Sequence, residues 1–98
     1  MNPATGVTLD LAVRPSEHCM VRTLDGESVL LNLESSTYFG LDPVGTRIWQ
    51  LIERHRRLGD VLRDLLQEYE VEADVMERDL IQLVSELLGQ GLVVRADV

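Results

Sequence analysis

The spacing of apolar residues changes abruptly at Asp42-Pro43, and this change constrains the fold of the 98-residue chain more than any other feature. Before it, apolar and polar residues alternate, as in short strands. After it, apolar residues recur every three or four positions, as in amphipathic helices. Asp42 is a good N-cap and Pro43 suits the first helical position. The sequence therefore predicts strands followed by helices, an α+β fold.

Short strands are predicted upstream, over residues 8–13, 18–23, 27–33 and 37–41. We expect Leu24-Asp25-Gly26 to form a three-residue loop, because this loop pairs Val21 with Val29 and Cys19 with Leu31 on one apolar face. A two-residue Asp-Gly turn would instead set Arg22 opposite Val29. The last strand carries an aromatic residue on each face, which predicts cover on both sides.

Three helices are predicted downstream. The first runs from Pro43 to about residue 56, the second is capped by Asp60, and the third starts at Asp74 and covers residues 75–90. Gly89 and Gly91 end the third helix, and residues 92–95 form a short strand or an extended tail. A three-stranded antiparallel sheet followed by three helices, the last two joined by a short loop, is a winged helix-turn-helix-like arrangement.

Composition excludes several classes of function. Seventeen acidic residues against nine basic ones give a formal charge of −8, which repels a nucleic-acid backbone. The predicted third helix has one base, Arg78, against four acids (Asp74, Glu77, Asp79 and Glu86), unlike a DNA-recognition helix. No apolar run is long enough to span a membrane, so we expect a soluble, cytoplasmic protein.

Catalysis and metal binding also lack support in the sequence. Cys19 is the single cysteine, so no internal disulfide can form, and a buried, inert thiol is expected. His18 and His55 fall on different elements, and no nucleophile with a base or phosphate-binding glycine loop is evident. We expect a protein that is not an enzyme and carries no cofactor or metal.

Three sequence segments resemble the PqqD-like family of peptide-recognition domains: Val29-Leu30-Leu31-Asn32-Leu33, Tyr38-Phe39-Gly40-Leu41-Asp42 and Gly45-Thr46-Arg47-Ile48-Trp49. Within the family, the stretch from Tyr38 to Trp49 is most similar to the free-standing recognition proteins of lasso-peptide biosynthesis. The resemblance implies that the leader segment of a ribosomally made precursor peptide lies between the third strand of the sheet and the third helix. It also implies delivery of the leader to a separate leader peptidase. Another modified-peptide pathway, or a PQQ-type cofactor pathway, is the alternative.

The residues themselves indicate how a peptide would bind. Strand 37–41 is the candidate sheet edge, which an extended peptide can complete by β-augmentation, and Gly40 is typical of a close backbone approach. On the third helix, either Met76, Leu80, Leu83 and Leu87 face the groove and Ile81, Val84 and Leu88 face the core, or the reverse. Asp79 and Gln82 would attract Lys or Arg on a leader. The candidate peptide-binding residues are Leu30, Thr37, Tyr38, Phe39, Gly40, Leu41, Met76, Asp79, Leu80, Gln82, Leu83 and Leu87.

Domain organisation and assembly follow from length and from the exposed edge. We expect a flexible N-terminus over residues 1–6 and one domain over residues 7–98. An edge strand can also pair with its own copy, so the protein is expected to be a monomer or a weak dimer. A dimerisation module and a winged-helix DNA-binding domain are the rival functions.

Overall fold

The computed structural model describes residues 6–96, and within them strands give way to helices at Asp42 as predicted. The elements in chain order are β1 (Val13–Pro15), β2 (Cys19–Leu24), β3 (Glu27–Asn32), β4 (Thr37–Leu41), α1 (Pro43–His55), α2 (Leu58–Glu68), α3 (Ala73–Gly89) and β5 (Val93–Arg95). Asp42 caps α1 by accepting a hydrogen bond from the Gly45 N–H at 2.7 Å. All of the expected flexible N-terminus except Gly6 lies outside the described residues.

The strands form two antiparallel sheets. The three-stranded sheet has the order β2-β3-β4, so β4 is an edge strand, as predicted. The two-stranded sheet pairs β1 with β5, which makes the C-terminal segment a strand rather than an extended tail. The predicted three-stranded sheet followed by three helices is confirmed.

The predicted loop between β2 and β3 is wrong. Leu24 pairs with Glu27, and Arg22 lies opposite Val29, so the turn contains only Asp25 and Gly26. Both turn residues have positive φ, 55° and 82°, as a type I′ turn requires. The backbone twist of this turn matches that of the strands, and this match outweighs the pairing of apolar side chains on one face.

The first predicted strand, residues 8–13, is also wrong, because its backbone bonds to the connection between α1 and α2. The carbonyls of Leu11 and Leu9 accept hydrogen bonds from the N–H groups of Leu58 and Gly59 at 3.0 and 2.9 Å. These are the first two N–H groups of α2, which have no partner inside the helix. A backbone cap therefore replaces the predicted Asp60 cap, and α2 begins three residues earlier than predicted, with Arg57 at the N-cap.

The third helix also starts earlier than predicted, with Glu72 rather than Asp74 at the N-cap. Asp74 instead lies in the first turn, where its charge favours the helix dipole. The structure matches neither division of the apolar arc of α3. The buried residues are Met76, Leu80, Val84 and Leu87, whereas Ile81, Leu83 and Leu88 are half-buried.

One hydrophobic core joins the helices to the inner face of the three-stranded sheet. Trp49 is buried in it, as expected of a lone tryptophan in a small domain. Three polar residues are also buried there, namely Ser28, Asn32 and Thr46. The Thr46 hydroxyl donates to the Ser28 hydroxyl at 3.0 Å, which fixes the start of α1 against β3. The C-terminal end of β4 is thereby held beside the first turn of α1.

Candidate functional site

The free edge of β4 exposes the backbone groups of Tyr38 and Gly40. In an antiparallel ladder, successive residues direct their N–H and C=O groups to opposite sides of the strand. Leu33 donates to His18 at 2.8 Å on the β2 side, and Asn32 accepts from Ser36 at 2.7 Å on the β4 side. The even-numbered residues of β3 therefore bond to β4.

The pairing between β3 and β4 then settles which β4 groups are free. Leu30 pairs with Phe39, Ser28 with Leu41 and Asn32 with Thr37, so these β4 residues direct their backbone groups inward. Tyr38 and Gly40 direct theirs outward. An extended peptide beside β4 could therefore form backbone hydrogen bonds with the N–H and C=O groups of these two residues.

A groove of about 490 Å³ runs between this edge and α3. Phe39 and Leu41 line it from β4, Val44 and Ile48 from α1, and Leu83 from α3. These side chains are apolar, so the groove can bind an apolar side chain directly beside the unpaired backbone groups of β4. This combination suits a peptide that pairs through its backbone and inserts alternate side chains.

Carboxylates surround the apolar groove. Asp79 and Glu86 project from α3 beside Leu83, and Asp42 lies at the opposite wall. We call these three residues the rim carboxylates. No Lys, Arg or His of the described chain lines the groove.

The sequence profile of the family described as coenzyme PQQ synthesis protein D (PqqD) matches residues 27–93, more than half of the chain. The chain belongs to the PqqD family. Two solved structures are similar to this PqqD-family chain, each described as a leader-peptide complex. TbiB1 in complex with the TbiA(beta) leader peptide is 38% identical over 86% of this chain and 99% of that chain, with a TM-score of 0.78. Lasso peptide synthetase B1 complexed with the leader peptide is 31% identical over 85% and 98%, with a TM-score of 0.76.

No match was found among curated protein sequences. The two structural matches cover nearly the whole length of the similar chains. The resemblance to the PqqD-like family read from the sequence is thereby confirmed, including its similarity to lasso-peptide proteins.

The structure brings together only part of the predicted binding set. Phe39, Gly40, Leu41, Asp79 and Leu83 all line the groove. Four other candidates lie in the core beneath it, at 4% exposure or less: Leu30, Met76, Leu80 and Leu87. Their part in peptide binding stays a prediction. Because they are buried, they would act by shaping the groove rather than by contacting the peptide.

The remaining candidates lie beside the groove. The Thr37 hydroxyl bonds with that of Ser35 at 2.8 Å at the start of β4. Gln82 lies on a neighbouring face of α3, where its amide reaches Glu86 at 3.5 Å. Tyr38 is 72% exposed, so the predicted cover on both faces of this strand is wrong. Its ring belongs to the outer face of the sheet, away from the core.

Sequence reasoning missed five groove residues: Asp42, Val44, Gly45, Ile48 and Glu86. Val44 and Ile48 fit the helical spacing that follows Pro43, but this spacing does not show that they line a groove. The short distance in sequence between strand 37–41 and the first helix was the available signal. Only Asp42 separates β4 from α1, and here the first turn of α1 lies beside the edge of β4.

The outer face of the three-stranded sheet is a second surface with unusual character. Apolar residues of all three strands are exposed on it: Met20, Leu24, Val29 and Tyr38. Gly40 lies among them, and a Cβ added there would have no atom within 4 Å. No internal contact therefore requires glycine at this position.

Ionisable groups with shifted pKa values lie away from the groove. Arg47 donates two hydrogen bonds of 2.8 Å to Glu68, and they lower the pKa of that carboxyl. A hydrogen bond from His55 likewise lowers the pKa of Asp64. Burial raises the pKa of the Cys19 thiol, which is half-buried rather than fully buried as expected. Both carboxylates join α1 to α2 and serve the scaffold.

No group of three His, Cys, Asp or Glu side chains within residues 6–96 is placed to hold a metal ion. None of the helices in this part of the chain is long and apolar enough to cross a membrane.

Proposed function

We propose that this PqqD-family chain binds the leader segment of a ribosomally synthesised precursor peptide as an added strand on β4. The observation that carries the proposal is the position of the free backbone groups of Tyr38 and Gly40 directly beside the apolar groove. Backbone pairing supplies affinity that tolerates many sequences, and the groove supplies selection for apolar anchors. The two similar structures, both leader-peptide complexes, support the same occupant.

The proposed pathway is lasso-peptide biosynthesis, with presentation of the bound leader to a separate leader peptidase. The exposed apolar residues of the outer sheet face support this second step, because a partner can cover them while the leader occupies the edge. The chain itself contributes no catalytic step in this proposal. It acts as a peptide chaperone in the cytoplasm, where the precursor is synthesised.

A winged-helix DNA-binding role is much less well supported. The described part of α3 carries Asp74, Glu77, Asp79 and Glu86 against Arg78. The negatively charged phosphate backbone of a DNA duplex would be repelled by this negatively charged helix surface. We therefore expect no salt-sensitive binding of duplex DNA.

Titration calorimetry with synthetic halves of the precursor tests the proposal. We expect the leader to bind as a one-to-one complex and the core peptide not to bind. Leader peptides methylated at single backbone nitrogens add a test of strand pairing. Methylation should weaken binding at alternate positions only, since an added strand turns every second N–H toward β4. Equal binding of leader and core, or methylation effects without alternation, would contradict the proposal.

A further inference from the structure

Two of the three rim carboxylates, Asp79 and Glu86, have no cationic partner within residues 6–96. Neither belongs to any of the ion pairs of the described chain. The Glu86 carboxylate accepts a hydrogen bond of 3.5 Å from the Gln82 amide, which carries no charge. Asp42, the third rim carboxylate, caps α1 through Oδ1 and also lines the groove. The charge around the groove is therefore uncompensated.

The negative charge of these carboxylates lies next to apolar side chains of the groove rather than on a fully exposed surface. Phe39, Leu41, Ile48 and Leu83 border the same groove as the carboxylates. A ligand seated on them would displace water from the carboxylates, which strengthens any charge interaction that forms there. An anionic or neutral ligand would leave these charges partly desolvated and unpaired, which is unfavourable.

The spacing of the two α3 carboxylates fits the repeat of an extended peptide. Asp79 and Glu86 are two helical turns apart, about 10 Å at 1.5 Å per residue. In an extended strand, residues on the same side repeat every ~6.7 Å. Two basic side chains two or four positions apart can therefore each reach one carboxylate, since Lys and Arg are long and flexible.

A metal ion is a poorer occupant than a basic peptide. The rim carboxylates are spread over two walls of the groove, and no three acidic, His or Cys side chains of the described chain converge on a metal-binding point. Separate carboxylates suit separate cations, such as the Lys and Arg side chains of one strand.

We propose that the groove selects leaders whose apolar anchor is accompanied by Lys or Arg on the same side of the strand, paired with Asp79 and Glu86. This inference rests on the proposed function and names the class of leader that the groove accepts. Asp79 was a candidate from the sequence, whereas Glu86 is assigned by the groove geometry. Their charges act on selection and on the rate of association more than on the total affinity.

The test uses the full chain and a fluorescently labelled synthetic leader peptide of the precursor, with binding followed by anisotropy at about 50 mM and about 300 mM salt. Asp79→Asn and Glu86→Gln should each weaken binding about twofold to fivefold at low salt, as for exposed ion pairs. The loss should shrink at high salt. Asp74→Asn is the matched control, since it removes the same charge from the same helix outside the groove.

A charge swap makes the assignment specific. Replacing the basic residues of the leader one at a time by Glu should weaken binding, and Asp79→Lys should restore it for one of them only. If the wild-type chain binds the leader but both neutral variants behave like Asp74→Asn, the charge inference is overturned and the proposed function stands. If the wild-type chain does not bind the leader, the proposed function itself fails.

Discussion

The Asn32 side-chain amide donates a 2.8 Å hydrogen bond to the Gln90 carbonyl and thereby ties the end of β3 to the end of α3. Its carbonyl oxygen accepts from the N–H groups of Glu34 and Ser35 at 2.9 and 3.3 Å, which shapes the turn into β4. One buried side chain thus connects the turn before β4 to the C-terminal end of α3. Asn32 belongs to the segment that resembles the family, yet it does not line the groove.

Replacement of Asn32 by Ala should therefore affect both stability and binding. We expect the free energy of unfolding to fall by about 1–3 kcal/mol, because buried backbone groups lose their partners. Leader affinity should fall even under conditions where the variant is fully folded. Urea denaturation and calorimetry measure the two effects. The control for stability is Thr37→Ala, whose exposed hydroxyl bonds with that of Ser35 and whose loss should leave the free energy of unfolding nearly unchanged.

Gly40→Pro tests backbone pairing at the edge. Proline removes the outward N–H of Gly40 while the inward bonds of Phe39 and Leu41 remain. We expect a folded variant whose leader affinity falls at least about tenfold, the loss expected when hydrogen bonding fails and its partner is left unpaired. Gly40→Ala keeps the N–H and has open space for its Cβ, so it should bind normally. A folded Gly40→Pro variant with wild-type affinity would argue against strand addition here.

Leu83 and Met76 lie on the same helix, but substitution by Asp should affect leader binding at Leu83 and folding at Met76. Leu83 is half-buried at the groove, so Leu83→Asp should weaken leader binding by at least ~2 kcal/mol with the fold retained. Met76 is 4% exposed in the core, and Met76→Asp should unfold a domain with only ~5–10 kcal/mol of stability. Thermal melting separates the two outcomes. Unfolding of both variants would place Leu83 in the core.

The outer sheet face should matter for processing but not for leader binding. Val29→Glu places a charge in the centre of the exposed apolar residues, where the side chain already contacts water. We expect leader affinity to stay within about twofold while peptidase cleavage slows about tenfold, the effect of a charge at a desolvated interface. Glu27→Gln on the same strand is the control. Equal cleavage by Val29→Glu and the wild type would exclude this face as the docking surface.

The Arg47–Glu68 pair should make stability depend on pH in one direction. Because the folded-state pKa of Glu68 is lowered, the pair stabilises the protein above the unfolded pKa of the carboxyl, and this contribution is lost as pH falls through the folded value. Arg47→Gln should therefore melt below the wild type at pH 7, and the two melting temperatures should converge as pH falls through the lowered folded-state pKa of Glu68. Arg78→Gln, on the exposed surface of α3, should show no such convergence.

Local signals in the sequence predicted the helices and the edge strand well. The Asp42 cap, Pro43 and the helical spacing after them are properties of neighbouring residues, so they could be read without tertiary contacts. The predicted hairpin register was wrong because it assumed that apolar residues lie on only one face of the sheet. The structure has apolar residues on both faces, with Leu30 inward and Val29 outward.

Tertiary contacts explain the other errors. Residues 8–13 have the alternation of a strand. However, the carbonyls of Leu9 and Leu11 accept hydrogen bonds from the N–H groups at the start of α2 instead of from another strand. The arc of α3 is wider than one core face, and only packing decides which part of it remains at the groove. Spacing alone could not separate Leu83 from Leu80, since both belong to the same continuous arc.

The small number of outward residues on β4 has a consequence for register. With only Tyr38 and Gly40 facing outward, a bound strand can slide by two residues and still form equivalent backbone bonds. The depth of the groove is then what fixes where the peptide stops. Under the proposed function, a leader held by one side chain in the groove extends from that point by a constant length per residue, so the position of the anchor would set how far the rest of the leader reaches from the domain.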